Sequence, residues 1–197
     1  MKDLTTLSDE MLVSIYIKGN NTAFDVLLDR YEGKLFTYIY YAVKNKELAQ
    51  DIFQETFMKA IATLHSGRYF ENGRFFGWIM RIAHNLVIDH YRFSNNMPMT
   101  SADADDSALY NMPAFAERSN AEMDYLNEEL LQQVRMLITR LPLSQREVVL
   151  MRFYQDLSFK EIAEITNVSI NTALGRMRYA LINLRRLAEK YNIDLAS

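Results

Sequence analysis

Between residues 141 and 190 the chain states one local signature twice and then changes it, and this restricts the fold more than any other feature. Ser144-Gln145-Arg146-Glu147 and Ser158-Phe159-Lys160-Glu161 both read S-x-x-E, in which the serine hydroxyl accepts the third helical N–H and the glutamate reaches back to the serine N–H. Each predicts a helix start. After the second, Ile162, Ala163 and Ile165 form a short apolar face that Thr166-Asn167-Val168-Ser169 interrupts. Asn takes the left-handed conformation more readily than most residues, so a turn is expected there and a new helix from Ser169. Together these predict a helix-turn-helix.

The last helix carries the chemistry. At 100° per residue, Ala173, Met177, Ala180, Leu181, Leu184 and Ala188 share one arc, while Thr172, Gly175, Arg176, Tyr179 and Asn183 share the opposite one. The first arc is expected to pack and the second to meet a partner. Asn171, Thr172 and Arg176 bring an amide, a hydroxyl and a guanidinium to the N-terminal end, the groups that read base edges in a major groove. Gly175 lets a backbone approach DNA closely, and Arg178, Arg185, Arg186 and Lys190 flank the face as phosphate partners. In isolation such a helix would be an ordinary solvated amphipathic one; the two capped helices before it favour DNA.

Composition sets the class around this unit. With 6 glycines and 3 prolines in 197 residues, and long stretches of helical period, the chain is expected to be all-α. It has no cysteine, which removes disulfides and thiolate metal sites and fits a reducing compartment. Met1-Lys2-Asp3-Leu4 does not begin a basic-then-apolar leader, and no apolar run reaches bilayer length, so a cytoplasmic protein without membrane insertion is expected. No cofactor or metal is expected. The net charge of −3 is unusual for a protein that binds DNA unaided. The acidity is concentrated at residues 93–125, where one basic residue stands against six acidic ones. A weakly charged reader implies that something else brings it to DNA.

Two small helical domains joined by an acidic flexible linker are expected: 1–92, a linker at 93–121 rich in Pro, Ser and Asp, and 122–197. The first domain reads as four helices. The third, from about Lys46 to Leu64, has Leu48, Ile52, Phe53, Phe57, Ala60, Ile61 and Leu64 on its buried stripe. Glu47, Gln50, Asp51, Gln54, Glu55 and Lys59 are left facing outward. The fourth, from about Gly73 to Arg92, sets Arg74, Trp78, Arg81, Asn85, Asp89 and Arg92 on an arc apart from its core face. Trp78 and Phe76, with Tyr69 and Phe70 in the preceding loop, are stacking surfaces beside cations, the combination that holds unpaired bases. An interfacial Trp packed between helices with snorkelling arginines is the competing reading of the same residues.

These stretches resemble the extracytoplasmic-function sigma factors, the two-domain members of the bacterial sigma family. The resemblance runs through Gly19-Asn20, Ala23-Phe24, Leu27 and Arg30-Tyr31, then Asp51-Ile52-Phe53-Gln54-Glu55-Thr56-Phe57, then Trp78-Ile79-Met80-Arg81-Ile82-Ala83-His84-Asn85. It continues at Leu141-Pro142, Arg146-Glu147-Val148 and Leu157-Ser158-Phe159-Lys160-Glu161-Ile162-Ala163, and covers nearly everything except the linker. It implies that Asp51, Gln54 and Glu55 dock on the β′ clamp helices of core RNA polymerase. It implies that the loop at about 66–74, with Arg68, Tyr69, Phe70 and Arg74, captures a flipped base of the −10 element, with Trp78, Arg81 and Asn85 at the melting face. The second domain would read the −35 element through Asn171, Thr172, Gly175, Arg176, Arg178 and Tyr179, with promoter DNA as partner. An anti-sigma protein is a further partner that the resemblance leaves open.

Leu174 and Tyr179 stand where many members carry a basic residue, so the −35 base preference does not transfer. A non-sigma regulator with a sensing first domain would show βα alternation or a Gly-rich loop in 1–92, and neither is present. An enzyme would lean on His84, Asp89 and His90, but the two histidines are six apart rather than the four that puts both on one helix face. His84 is instead expected to be partly exposed and His90 partly packed.

Overall fold

The computed structural model describes residues 3–70, 73–95 and 124–193, so the linker reading lies outside the described residues apart from 93–95. After a 3₁₀ turn at Leu4–Thr6 come α1 (Asp9–Ile17), α2 (Asn21–Val43), α3 (Lys46–His65) and α4 (Phe75–Asn95). The second half holds α5 (Asp124–Thr139), α6 (Leu143–Phe153), α7 (Phe159–Thr166) and α8 (Ile170–Lys190). Among the described residues there is no strand, as expected of an all-α chain.

Short polar side chains start most of these helices. Ser8 accepts from the Met11 N–H, Asn20 from Thr22 and Asn45 from Leu48, each satisfying a donor that the first helical turn leaves unpaired. Gly19 sits at φ +100, a conformation closed to most side chains, and this lets α1 turn sharply into α2. The Arg30 guanidinium bonds Asp9 and the carbonyls of Thr5 and Leu7, tying the 3₁₀ turn and α1 onto α2.

The four N-terminal helices close on Leu12, Leu27, Leu35, Tyr38, Ile39, Leu64, Phe75, Ile79 and Met80, all fully buried. Ile52, Phe57, Ala60 and Leu64 of α3 are buried as their spacing predicts, whereas Leu48, Phe53 and Ile61 are half-buried. Phe76 is not a free stacking surface: its ring lies on Tyr31, centroids 4.8 Å apart and 20° from parallel. In the second half, Leu150, Met151, Ile162, Ala173 and Ala180 form the centre. The two halves are in contact, with α6 and α7 lying on α2 and α4.

The first capping box does not form. The helix begins two residues earlier, at Leu143 with Pro142 rather than Ser144 at the cap position, with no side-chain cap, and Glu147 is buried. A Pro fixes φ near −65° and suits a helix entrance, so Pro142 at φ −52 starts α6 without the serine. The second box does form: Ser158 accepts from the Glu161 N–H, and Glu161 accepts from the Ser158 N–H at 2.8 Å. Asn167 then takes φ 52, ψ 48 as the left-handed end of α7, and Ser169 caps α8.

Candidate nucleic-acid interface

The sharp α7-to-α8 turn holds α8 over α6, with Ala173, Met177, Ala180 and Ala188 buried beneath it. Its opposite face is open. Asn171, Thr172, Arg178 and Tyr179 are exposed, Tyr179 by 62%. Gly175 and Arg176 are half-buried between them. Thr172 is partly committed, since its N–H and its hydroxyl both meet the Ser169 oxygen, at 3.0 and 2.8 Å. A Cβ built on Gly175 meets nothing within 4 Å, so packing inside the protein does not require glycine there. Asn183 leaves the predicted face, because its amide donates to Gln145 Oε1 at 2.8 Å and ties α8 to α6. Leu181, placed on the packing arc by its angle, is 41% exposed.

On the first domain, Tyr69, Phe75 and Trp78 form an aromatic group at the start of α4. The Tyr69 and Trp78 centroids are 4.4 Å apart, and Phe75 and Trp78 5.6 Å. Trp78 is half-buried and Phe70 is 87% exposed. Arg68, Arg74 and Arg81 surround the group, and all three line one cavity with Tyr69, Phe70 and Trp78, of about 260 Å³. Asn85 is exposed about two turns further along α4 and does not line it. The structure brings the expected −10 residues together, Asn85 excepted.

On α3, Asp51, Gln54 and Glu55 are exposed, and Glu55 pairs with Lys59 at 2.9 Å. Gln54 also lines a groove of about 520 Å³ between α2 and α3, with Phe36 and Phe53 in it and Glu32 and Gln50 beside them. Neither Phe36 nor Glu32 was singled out in the sequence. Spacing puts Phe36 one helical turn from Glu32, but its approach to Phe53, with ring centroids 5.8 Å apart, comes only from the packing of α2 on α3.

A third cluster is buried where the halves meet. The Tyr38 hydroxyl donates to Glu147 Oε1 at 2.8 Å, and His84 Nδ1 lies 2.9 Å from the same oxygen and 3.1 Å from the Tyr38 oxygen. His84 is thus buried, contrary to expectation, because α6 covers it; His90 is half-buried as expected. Burial first, and then the Glu147 charge, push the Tyr38 hydroxyl well above the ordinary tyrosine range, so it remains a donor. Burial also lowers the Arg146 guanidinium, although Tyr91 and Glu147 beside it oppose the shift. Among the described residues, no group of three or more His, Asp or Glu side chains is placed to hold a metal. Nor is any helix there long and apolar enough to cross a membrane.

Residues 27–96 match the family Sigma-70 region 2, and residues 131–179 match Sigma-70, region 4. The chain is 33% identical over 174 residues to the ECF RNA polymerase sigma-E factor of Escherichia coli (strain K12), covering 87% of this chain and 89% of that one. It is 30% identical over 173 residues to the ECF RNA polymerase sigma factor SigW of Bacillus subtilis (strain 168), covering 86% and 90%. Two solved structures share the fold. One is CnrH in complex with the cytosolic domain of CnrY, with a TM-score of 0.64, 23% identity and coverage of 92% and 97%. The other is the sigma factor RpoE in complex with the anti-sigma factor NepR from Bartonella quintana, with a TM-score of 0.62, 19% identity and coverage of 84% and 96%.

A helix-turn-helix with an open reading face, set beside a four-helix unit of the region 2 type, defines a two-domain DNA-binding transcription initiation factor. The chain belongs to the extracytoplasmic-function sigma factors of RNA polymerase. As a member it is not an enzyme; it directs RNA polymerase to promoters.

Proposed function

We propose that the division of labour runs by domain, with 1–92 docking on polymerase and opening the −10 element, 93–121 as the tether, and 122–197 reading the −35 element. The observation that carries it is the separation of two chemically different nucleic-acid faces. The α8 face offers Asn171, Thr172, Arg176 and Arg178 beside an open Gly175, hydrogen-bonding groups suited to base edges and phosphates of a duplex. The α4 face offers Tyr69, Phe70 and Trp78 among Arg68, Arg74 and Arg81, suited to an unpaired strand whose bases expose π faces. Asn85, exposed about two turns further along α4 and outside this cavity, offers an amide to a neighbouring position of the same strand.

Asp51, Gln54 and Glu55 are assigned to the β′ clamp helices. The Phe36–Phe53 groove beside them supports this, because it accepts an apolar knob while the acidic and amide rim meets cations. The low net charge follows: docking on polymerase supplies the local concentration that phosphate attraction would otherwise provide. The working place is the cytoplasm, with polymerase, and an anti-sigma protein is the partner that withholds it.

Reconstitution tests this reading. Purified core polymerase with the protein should give run-off transcripts from a mapped promoter and protect its −35 and −10 elements, while the free protein shifts the same duplex weakly at moderate salt. Tight sequence-specific duplex binding by the free chain would overturn the docking argument.

A further inference from the structure

We propose that the free protein holds itself shut, with α7 lying in the path of the unpaired strand and a buried Tyr38–Glu147–His84 clasp keeping it there. This rests on the reading of the α4 face as the strand-binding surface. Arg74 Nη1 meets Glu164 Oε2 at 3.2 Å, and Arg81 Nη2 donates to the Glu164 carbonyl at 3.0 Å. A carboxylate and a carbonyl oxygen are thus presented to two arginines of the melting face, the acceptor chemistry that a phosphodiester would present. Glu161 and Ile165 of α7 line the same cavity as Tyr69 and Trp78. A strand stacked on Trp78 and α7 in this position cannot occupy the surface together.

The clasp lies across the other side of the contact. Glu147, on α6, has no polar partner within its own domain in the contacts described; its carboxylate is satisfied by Tyr38 of α2 and His84 of α4. At the rim, Gln155 donates to the Lys34 carbonyl at 2.9 Å and Lys34 pairs with Asp156 at 3.2 Å. The α8 reading face stays exposed throughout, so closure blocks the strand and spares the duplex reader.

The chain has no cysteine, so single cysteines at the exposed Met11 and Glu189 allow a dye pair across the two domains of the full-length protein. Energy transfer reads closure. Anisotropy of a labelled single-stranded oligonucleotide, the non-template strand of a promoter the holoenzyme opens, reads access to α4. Glu147→Gln removes the clasp charge, and Glu164→Ala, at an exposed position, removes the carboxylate facing Arg74. The expected result is uniform high transfer in the unaltered chain and a low-transfer population in Glu147→Gln. Both variants should bind the strand about tenfold more tightly, as a mostly closed population is released. An unaltered chain that is already open, or an opened variant that binds the strand no better, overturns the proposal. If instead the α4 reading is at fault, adding Trp78→Ala to the opened Glu147→Gln chain leaves its strand binding unchanged while the low-transfer population persists.

Discussion

Premelted promoter DNA separates the two reading faces. Trp78 is half-buried against Tyr69 and Phe75, at 4.4 and 5.6 Å between centroids. Truncating it to Ala forfeits two aromatic contacts of about 0.5–1.5 kcal/mol each in the fold. It also forfeits about 1–3 kcal/mol of base stacking in the open complex. The second loss corresponds to about 5- to 150-fold in the opening equilibrium. Trp78→Phe keeps a ring for both purposes and should recover most of the loss, which separates the stacking role from simple unfolding. Arg176→Ala instead removes about 1–3 kcal/mol of duplex recognition where its guanidinium is bidentate to a base, and α4 plays no part in that. On a duplex promoter both variants should transcribe poorly with core polymerase. On a template carrying a −10 bubble, Trp78→Ala should recover and Arg176→Ala should not, because the bubble supplies only the unpairing energy. Permanganate reactivity of unpaired thymines on both templates decides the matter. Equal rescue of both variants, or of neither, refutes the assignment.

Other consequences are checked more simply. Asp51→Ala with Gln54→Ala should change thermal stability by less than about 0.5 kcal/mol, both being exposed helix residues, yet weaken capture by core polymerase in a pull-down. Asn167→Val should cost about 1–2 kcal/mol, since a β-branched side chain resists φ 52, and Asn167→Gly should not; denaturant melts of both give the comparison. The Ser158 hydroxyl holds Glu161 below the ordinary carboxylate range. A carboxyl depressed in the folded state stabilises fully above its unfolded value of about 4.5, and that contribution fades as pH falls below it. Glu161→Gln should therefore flatten the acid side of the melting-temperature profile.

Helical period and caps made the secondary structure readable because both are local. Asp51, Gln54 and Glu55 emerged on the outer face of α3 for that reason, and the Asn167 turn for the same one. The misreadings all have a tertiary cause. Ser144 to Glu147 matches a capping box letter for letter, yet Pro142 starts the helix and the carboxylate is more valuable beside Tyr38 and His84, a contact 109 residues away along the chain for Tyr38. Asn183 has the correct angle for a groove face, but Gln145 on the neighbouring helix takes its amide. Phe76 falls beside the arginines by its position in the sequence, and Tyr31 covers it. No window of sequence contains the partner in any of these cases. The α2–α3 groove was missed for a similar reason, since Phe36 and Phe53 each look like core residues until the two helices are laid together.

Gly175 stands in the middle of a helix, where glycine costs about 1 kcal/mol relative to Ala, and an added methyl group would meet open space. Its neighbours Leu174 and Tyr179 are also exposed, at 45% and 62%. These three positions can therefore change without disturbing anything beneath them. On the proposed reading of α8 as the −35 reader, a library randomised at 174, 175 and 179 would vary promoter preference on an unchanged scaffold, with several members more heat-resistant than the parent. On that reading, what the DNA reader prefers and how firmly the chain folds are separately adjustable, and a change of promoter set is within reach of substitutions at exposed positions alone.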